Sequence, residues 1–440
     1  MSVAPAAPPA TPPATPPATP PAGPPSGMSR FSIASPLAGG AFHAMGSGLF
    51  HTLLPLRLVA DGHGAEAVGL VVGAEGAGFL LGCIGSVRLI RSVGEVRAYA
   101  ALSASSAVLI LSLGTQPPLI AFMAIQAVIG FSNAGQSVVI ESWMNAMVPN
   151  RSRGRMLTLY VVLLGLFYGL GQLLATDIDP AGLPLLMLTA AFYLAAIVPV
   201  TAIWVGEPQL HVPMGVRLFH TFKVSPIGAL ACLITGLISS TFSSIGPLYG
   251  LDMNFPQKTI VLLMAATQLG ALFLQFPLGY LSDRTDRGVM MLWLAIALAL
   301  LCAGFLLVDG TTPVWVFLIL FSVFGGISEI FYPLGVAHAN DAAEPREFVP
   351  LSSNLLLIWA FGGTVGPAVV TMGMPAFGSA IFFVYALAIA VLFAALTAWL
   401  RYGRPPAKAR EQFVAYPQTS PIVYEWGPHD QPDETGRGAP

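Results

Sequence analysis

Twelve runs of mostly apolar residues, each long enough to cross a bilayer, occupy the chain between residues 35 and 401. A helix needs about 20 such residues to span the hydrocarbon core. The runs fall at 35–58, 67–87, 97–114, 117–140, 156–176 and 183–205, then at 226–250, 259–281, 289–308, 313–337, 351–372 and 376–401. In lipid, every backbone N–H and C=O of such a run must be satisfied within it, so each is predicted to be helical. Charged residues make up only 9% of the 440, against about a quarter in a soluble domain. So little charge cannot clothe a soluble fold of this length. The expected class is an all-α polytopic membrane protein with twelve transmembrane helices.

The flanks read differently. Residues 1–34 carry Pro-Ala-Thr-Pro three times between Pro9 and Pro20, a composition that favours solvated polyproline II and buries nothing. They lack the basic start and apolar core of a signal peptide, and Met28 is an alternative start. Residues 403–440 are polar and Pro-rich, and are expected to be a disordered tail. Residues 206–225 are the least apolar internal stretch, with Arg217, His220 and Lys223. They are expected to link a six-helix half at 35–205 to a second at 226–402.

Lys and Arg are retained on the cytoplasmic side of a membrane. With both termini inside, the inner segments hold Arg30, Arg88, Arg91, Arg97, Arg151, Arg153, Arg155, Arg217, Lys223, Arg284, Arg287, Arg346 and every cation from Arg401 onward. Only Arg57 and Lys258 lie on the other side, which leaves 17 of 19 inside. The expected location is the cytoplasmic (inner) membrane, multi-pass, with both termini cytoplasmic.

A formal net charge of −2 offers nothing to nucleic acid. Cys83, Cys232 and Cys302 sit far apart within apolar runs, without metal-ligand spacing. There is no Walker loop, no GxSxG and no dinucleotide fingerprint. Neither an enzyme nor a cofactor or metal site is expected.

The two sets of spans resemble one another at an offset of just under 200 residues. "LLPLRL" (53–58) ends span 1 and "IGPLYG" (245–250) ends span 7. Gly85 and Gly94 bracket the loop after span 2 as Gly279 and Gly288 bracket the loop after span 8. "GFSNAGQ" (130–136) lies over "GISEIFY" (326–332), pairing Asn133 with Glu329 and Gln136 with Tyr332. Two homologous halves suit alternating access around a site near the midplane.

The loop "GYLSDRTDRG" (279–288) concentrates Asp283, Arg284, Asp286 and Arg287 between two apolar spans. It resembles the loop motif of the major facilitator superfamily, roughly Gly-x-Leu-Ala-Asp-Arg-x-Gly-Arg. Gly279, Leu281, Asp283, Arg284 and Arg287 match, while Asp286 replaces the second glycine. The resemblance implies a charge network between the halves that favours the outward-facing state. The counterpart "GSVRLIRSVG" (85–94) keeps Arg88 and Arg91 but has Leu89 in place of the acid, so a lock there would use Glu141 or Glu95. "RLIRSVGEVRAYA" (88–100), "IESWMN" (140–145), "RGRMLTLY" (153–160), "YPLGVAHAND" (332–341) and "LLLIWAFGGTVGP" (355–367) resemble the narrower YcaD-like branch. Together these imply a fold of two pseudo-symmetric six-helix halves and a secondary transporter.

The cavity of that superfamily is lined mainly by helices 1, 4, 7 and 10. An ionisable side chain at membrane depth is costly and marks function by default. Glu329 on span 10, one turn from Tyr332, is the foremost candidate for carrying a proton. His43 and His51 share a face of span 1, and Asn133 and Gln136 lie on span 4. Ser240 and Ser244 stand on span 7, where they can also bond back to their own carbonyls, and Gln268 lies on span 8. Glu75 aligns with Gly78 and Gly82 on span 2, which reads as helix packing or gating before substrate contact. The expected partners are a small-molecule solute, protons and the bilayer, for a chain acting as a monomer. The helix 5 signature of antiporters is incomplete, since "GLFYGLG" (165–171) lacks its proline, and a GxxxGP falls instead in span 11 (362–367). Export is favoured over uptake. A transport-inactive sensor or scaffold is the rival from another class; neither tail offers the signalling domain it would need.

Overall fold

The computed structural model describes residues 31–147, 153–202, 217–343, 347–402 and 418. The expected proline-rich start, most of the linker and all of the tail except Gln418 lie outside them. The first half comprises α1 (Phe31–Ala60), α2 (Ala65–Val93), α3 (Glu95–Ser112), α4 (Leu119–Met147), α5 (Arg153–Leu174) and α6 (Leu183–Ala202). The second comprises α7 (Pro226–Asp252), α8 (Gln257–Arg284), α9 (Arg287–Phe305), α10 (Val314–Ala342), α11 (Phe348–Phe377) and α12 (Ile381–Tyr402). A seven-residue helix, Leu218–Val224, leads into α7. Eleven of the twelve are apolar enough to be membrane spans by composition among the described residues. The twelfth, α1, is 30 residues long but carries His43, Ser47, His51 and Arg57.

Several helices outrun their apolar sequence at the end that carries both termini. α2 continues to Val93, α4 to Met147 and α10 to Ala342, because a helix ends where its hydrogen-bond ladder is broken and not where hydropathy falls. The span expected to start at 376 instead starts at Ile381. Pro375, Ala376 and Phe377 belong to α11, which Gly378 ends at φ 68°. That conformation is natural to glycine and stops a helix. Asp252 at the end of α7 then accepts from the Ser379 N–H at 3.0 Å.

The repeat seen in the sequence is repeated in packing. α2 crosses α4 where a Cβ on Gly78 would strike the Ala127 carbonyl and one on Gly130 would strike the Glu75 carbonyl. α8 crosses α10 in the same manner, Gly270 against Ser322 and Gly325 against Thr267. Only a residue without a side chain lets backbones approach this closely, which is how helices associate tightly in lipid. The α10 crossing uses Gly325, one residue from the Gly326 that the sequence alignment pairs with Gly130.

The halves meet toward the end remote from the termini. Gln257 at the head of α8 donates to the carbonyls of Ala175 and Ile178 beyond α5, at 2.7 and 2.6 Å. Gly69, Gly73 and Gly76 of α2 face Thr371 and Thr364 of α11, and the Phe79 and Trp359 rings meet edge-on at 5.8 Å. Arg57, one of the two cations on this side, is itself structural. It is 2% exposed, and its Nη1 donates to the carbonyls of Pro180, Ala181 and Gly182, each at 3.2 Å. Within the second half, Phe305 stacks on Phe383 at 4.1 Å and Phe242 packs on Phe321, Phe324 and Phe382.

Candidate functional site

A cavity of about 450 Å³ lies between the halves. Leu54 and Val72 stand in its wall toward the end where the halves meet, and the wall runs through Ile140, Tyr160 and Gln275 toward the end where α1 starts and α12 stops. α1, α4, α7 and α10 line it as expected, and α2, α5, α8 and α11, with Tyr99 of α3 and Gln418, make up the rest of the described wall.

α7 delivers its serines through a local departure from α-helix. Residues Gly236–Ser240 form a π turn, a widening that accumulates at functional positions. Ser239, Ser240, Ser243 and Ser244 then border the cavity. Ser243 and Ser244 also donate to the carbonyls of Ser239 and Ser240, at 3.1 and 3.0 Å. Their hydroxyls therefore back-bond and border the cavity at once.

In the first half a hydrogen-bonded network surrounds Glu75. Its Oε1 lies 2.8 Å from His51 Nε2 and 3.4 Å from Asn133 Nδ2, which donates to it; its Oε2 accepts from Gln126 Nε2 at 3.3 Å. His51 Nδ1 reaches the Tyr168 hydroxyl of α5 at 3.2 Å. Asn133 Oδ1 accepts from the Tyr193 hydroxyl at 3.1 Å, and that hydroxyl lies 3.1 Å from Ser47 Oγ. His43 sits edge-on to the Tyr193 ring at 5.1 Å. Gln136 accepts from Ser103 of α3 at 2.7 Å. Spacing alone assigns Glu75 to packing or gating, whereas its side chain stands in the cavity wall. Its alignment with Gly78 and Gly82 is real: its backbone carbonyl faces Gly130 of α4, while its side chain also bonds Gln126 and Asn133 of the same helix.

The second half contributes Glu329, whose Oε2 accepts from the Gln418 carboxamide at 2.8 Å. Gln268 lines the opposite wall. Of the expected site residues, His43, His51, Asn133, Gln136, Ser240, Ser244, Gln268 and Glu329 border this one space. Tyr332 does not. It is fully buried behind Trp359, with ring centroids 6.3 Å apart. No Lys or Arg is among the described residues of the cavity wall.

The charged loop is built apart from the cavity. Arg287, 2% exposed, donates to Asp341 of α10 at 2.8 Å and to Asp283 at 3.2 Å. Both partners belong to the second half, so these bonds tie α8, α9 and α10 to one another. The sequence expectation of bonds across the two halves is not met by these pairs. Asp286, where the motif has glycine, caps α9 by accepting from the Val289 N–H at 3.0 Å and also pairs with Arg401 of α12. Arg284 lies over the Tyr280 ring, 4.2 Å from its centroid. Gly279 is buried in α8, while Arg88 and Arg91 are exposed at the end of α2. Glu141 is fully buried in α4, and Glu95 accepts from Ser142 at 2.8 Å.

The family model described as Major Facilitator Superfamily matches residues 37–316 and 228–422. The chain belongs to this superfamily. Among curated proteins it is 23% identical over 359 residues to an uncharacterized MFS-type transporter, YcaD, of Escherichia coli O139:H28 (strain E24377A / ETEC), covering 81% of this chain and 92% of that one. YcaD of Shigella sonnei (strain Ss046) gives the same figures. Among solved structures, the nucleoside transporter NupG superposes with a TM-score of 0.70 at 12% identity, over 85% of this chain and 100% of that one. A bacterial homolog to the human lysosomal transporter Spinster, inward-facing and unoccupied, gives 0.68 at 15% identity, over 86% and 99%. Those likenesses are of fold: twelve transmembrane helices in two pseudo-symmetric halves. As a member of the superfamily the chain is a multi-pass membrane transporter of a small-molecule solute and not an enzyme.

Proposed function

We propose that this transporter is a proton-coupled secondary carrier of the cytoplasmic membrane, monomeric, with both termini in the cytoplasm, working by alternating access in the export direction. The observation that carries this reading is the cavity itself, which is bordered by both halves and by a carboxylate from each. In alternating access the halves rock about a central site. The closed contacts at Gln257, Gly69 and Gly76 are the ones that would part when the other face opens. Glu329 is the proposed proton carrier. A lone charge at membrane depth is expensive, so its occupancy by a proton or a solute is energetically tied to the state of the cavity. The Glu75–His51 pair is the next candidate. Exchange of proton and solute on an acidic wall gives export when protons flow inward. The orientation is supported by the cation asymmetry of the loops.

A screen of a deletion strain for altered tolerance to drugs, sugars and organic acids identifies transported compounds. Flux of a hit is then followed in proteoliposomes under an imposed pH gradient. Accumulation against the solute gradient that collapses with the pH gradient is the expected result, and flux indifferent to the pH gradient refutes proton coupling.

A further inference from the structure

The two cavity carboxylates are not equivalent as ligand sites. Glu75 is already satisfied by helices of the first half, with His51, Gln126 and Asn133 around it. Glu329 takes a hydrogen bond from a residue that follows the last helix in sequence, from the N–H of Gln418 at 2.8 Å. A nitrogen donor therefore already occupies the position a ligand would take on Glu329. The surrounding wall supplies Phe79, Tyr168, Leu272 and Trp359, and no described Lys or Arg that could neutralise Glu329 or receive an anion. A cavity of this size accommodates a drug-sized molecule. A carboxylate accepts a charge-assisted hydrogen bond best from an N⁺–H, and aromatic faces attract the same charge.

Resting on the transporter reading above, we propose that the solute is an amphipathic organic ammonium ion. Its N⁺–H sits on Glu329 in the place of the Gln418 amide, and its apolar body lies against Phe79, Tyr168 and Trp359. The class disfavours carboxylates, phosphates and other anions, which would face two acids with no described Lys or Arg in the wall and with His51 already engaged by Glu75. It also places Gln418 as an internal competitor that the solute displaces.

The test uses the purified full-length protein in nanodiscs and three probes of one skeleton: 4-phenylbutylammonium, 4-phenylbutanol and 4-phenylbutanoate. Binding is read by thermal shift and by tryptophan fluorescence, with no flux required. The ammonium should bind at least about ten-fold more tightly than either analogue, and Glu329→Gln should remove that preference. Gln418→Ala should strengthen ammonium binding by loss of the competitor, and this arm stands if Glu329→Gln fails to fold. Binding of the carboxylate as tightly as the ammonium overturns the proposal, as does binding of none of the three or unchanged ammonium affinity in both variants. Counterflow in proteoliposomes separates this from the transporter reading. Binding of the ammonium without flux would refute carriage and leave the site, whereas flux of neutral or anionic compounds alone would refute the site and leave carriage.

Discussion

Glu75 and Glu329 are both carboxylates at membrane depth, and their neighbours predict different mutant phenotypes. Glu75→Gln removes the charged acceptor from three protein donors, and a hydrogen bond to a charged group contributes about 1.5–3 kcal/mol. Glu329 accepts from Gln418, which follows the last helix in sequence and lines the cavity. Thermal unfolding in detergent should therefore show the larger loss of Tm for Glu75→Gln, while Glu329→Gln folds, loses gradient-driven flux and exchanges the solute only with weakened affinity. A stable Glu75→Gln beside a collapsed Glu329→Gln would contradict this assignment. In the charged loop, Arg287→Leu removes the cation 2.8 Å from Asp341, itself only 3% exposed. Losing one partner of a buried pair costs about 3–5 kcal/mol. Asp283 is 29% exposed, so Asp283→Asn should fold normally, with any effect falling on transport rate; fluorescence-detected size exclusion separates the two outcomes. Glu329 was legible in the sequence because an acid inside an apolar run is too costly to be kept for packing. The place of Glu75 was not, because it shares a stripe with Gly78 and Gly82, and spacing cannot tell a backbone contact from a side chain turned toward His51.

At the scale of elements, the glycine crossings set how closely the helices approach. Gly78→Val and Gly270→Val each push a side chain into a facing backbone carbonyl, and overpacking of a tight contact costs about 1–3 kcal/mol. Both should lower Tm by a similar amount, since they are counterparts in the two halves. Gly304→Val is the control, because nothing lies within 4 Å of an added Cβ there. Equal Tm for all three would remove the crossings as a stabilising feature. The apolar runs of the sequence overlie all twelve helices, although α1 falls short of the composition that marks the other eleven as spans among the described residues. Hydropathy could not locate the π turn at Gly236–Ser240 or the stop at Gly378, which depend on backbone geometry and not on polarity. The helical extensions past Arg88, Ile140 and Ala337 are likewise polar at their ends and invisible to an apolar count.

At the scale of the molecule, the loop charges and the contacts where the halves meet make separate predictions. In a Cys-less background, Ser92→Cys and Thr285→Cys, both exposed at the end that bears the termini, should react only from the cytoplasm. Thr115→Cys and Thr311→Cys, exposed at the opposite end, should react from outside intact cells. Labelling of Thr285→Cys from outside would reverse the orientation. The same four positions test alternating access most directly. Spin labels at Ser92 and Thr285 report the separation of the halves at one end, and labels at Thr115 and Thr311 report it at the other. Electron–electron distance measurements, made with and without bound solute and across pH, should show the first pair closing as the second opens. Two distances that stay fixed, or that lengthen and shorten together, would contradict a carrier built from two halves rocking about a central cavity.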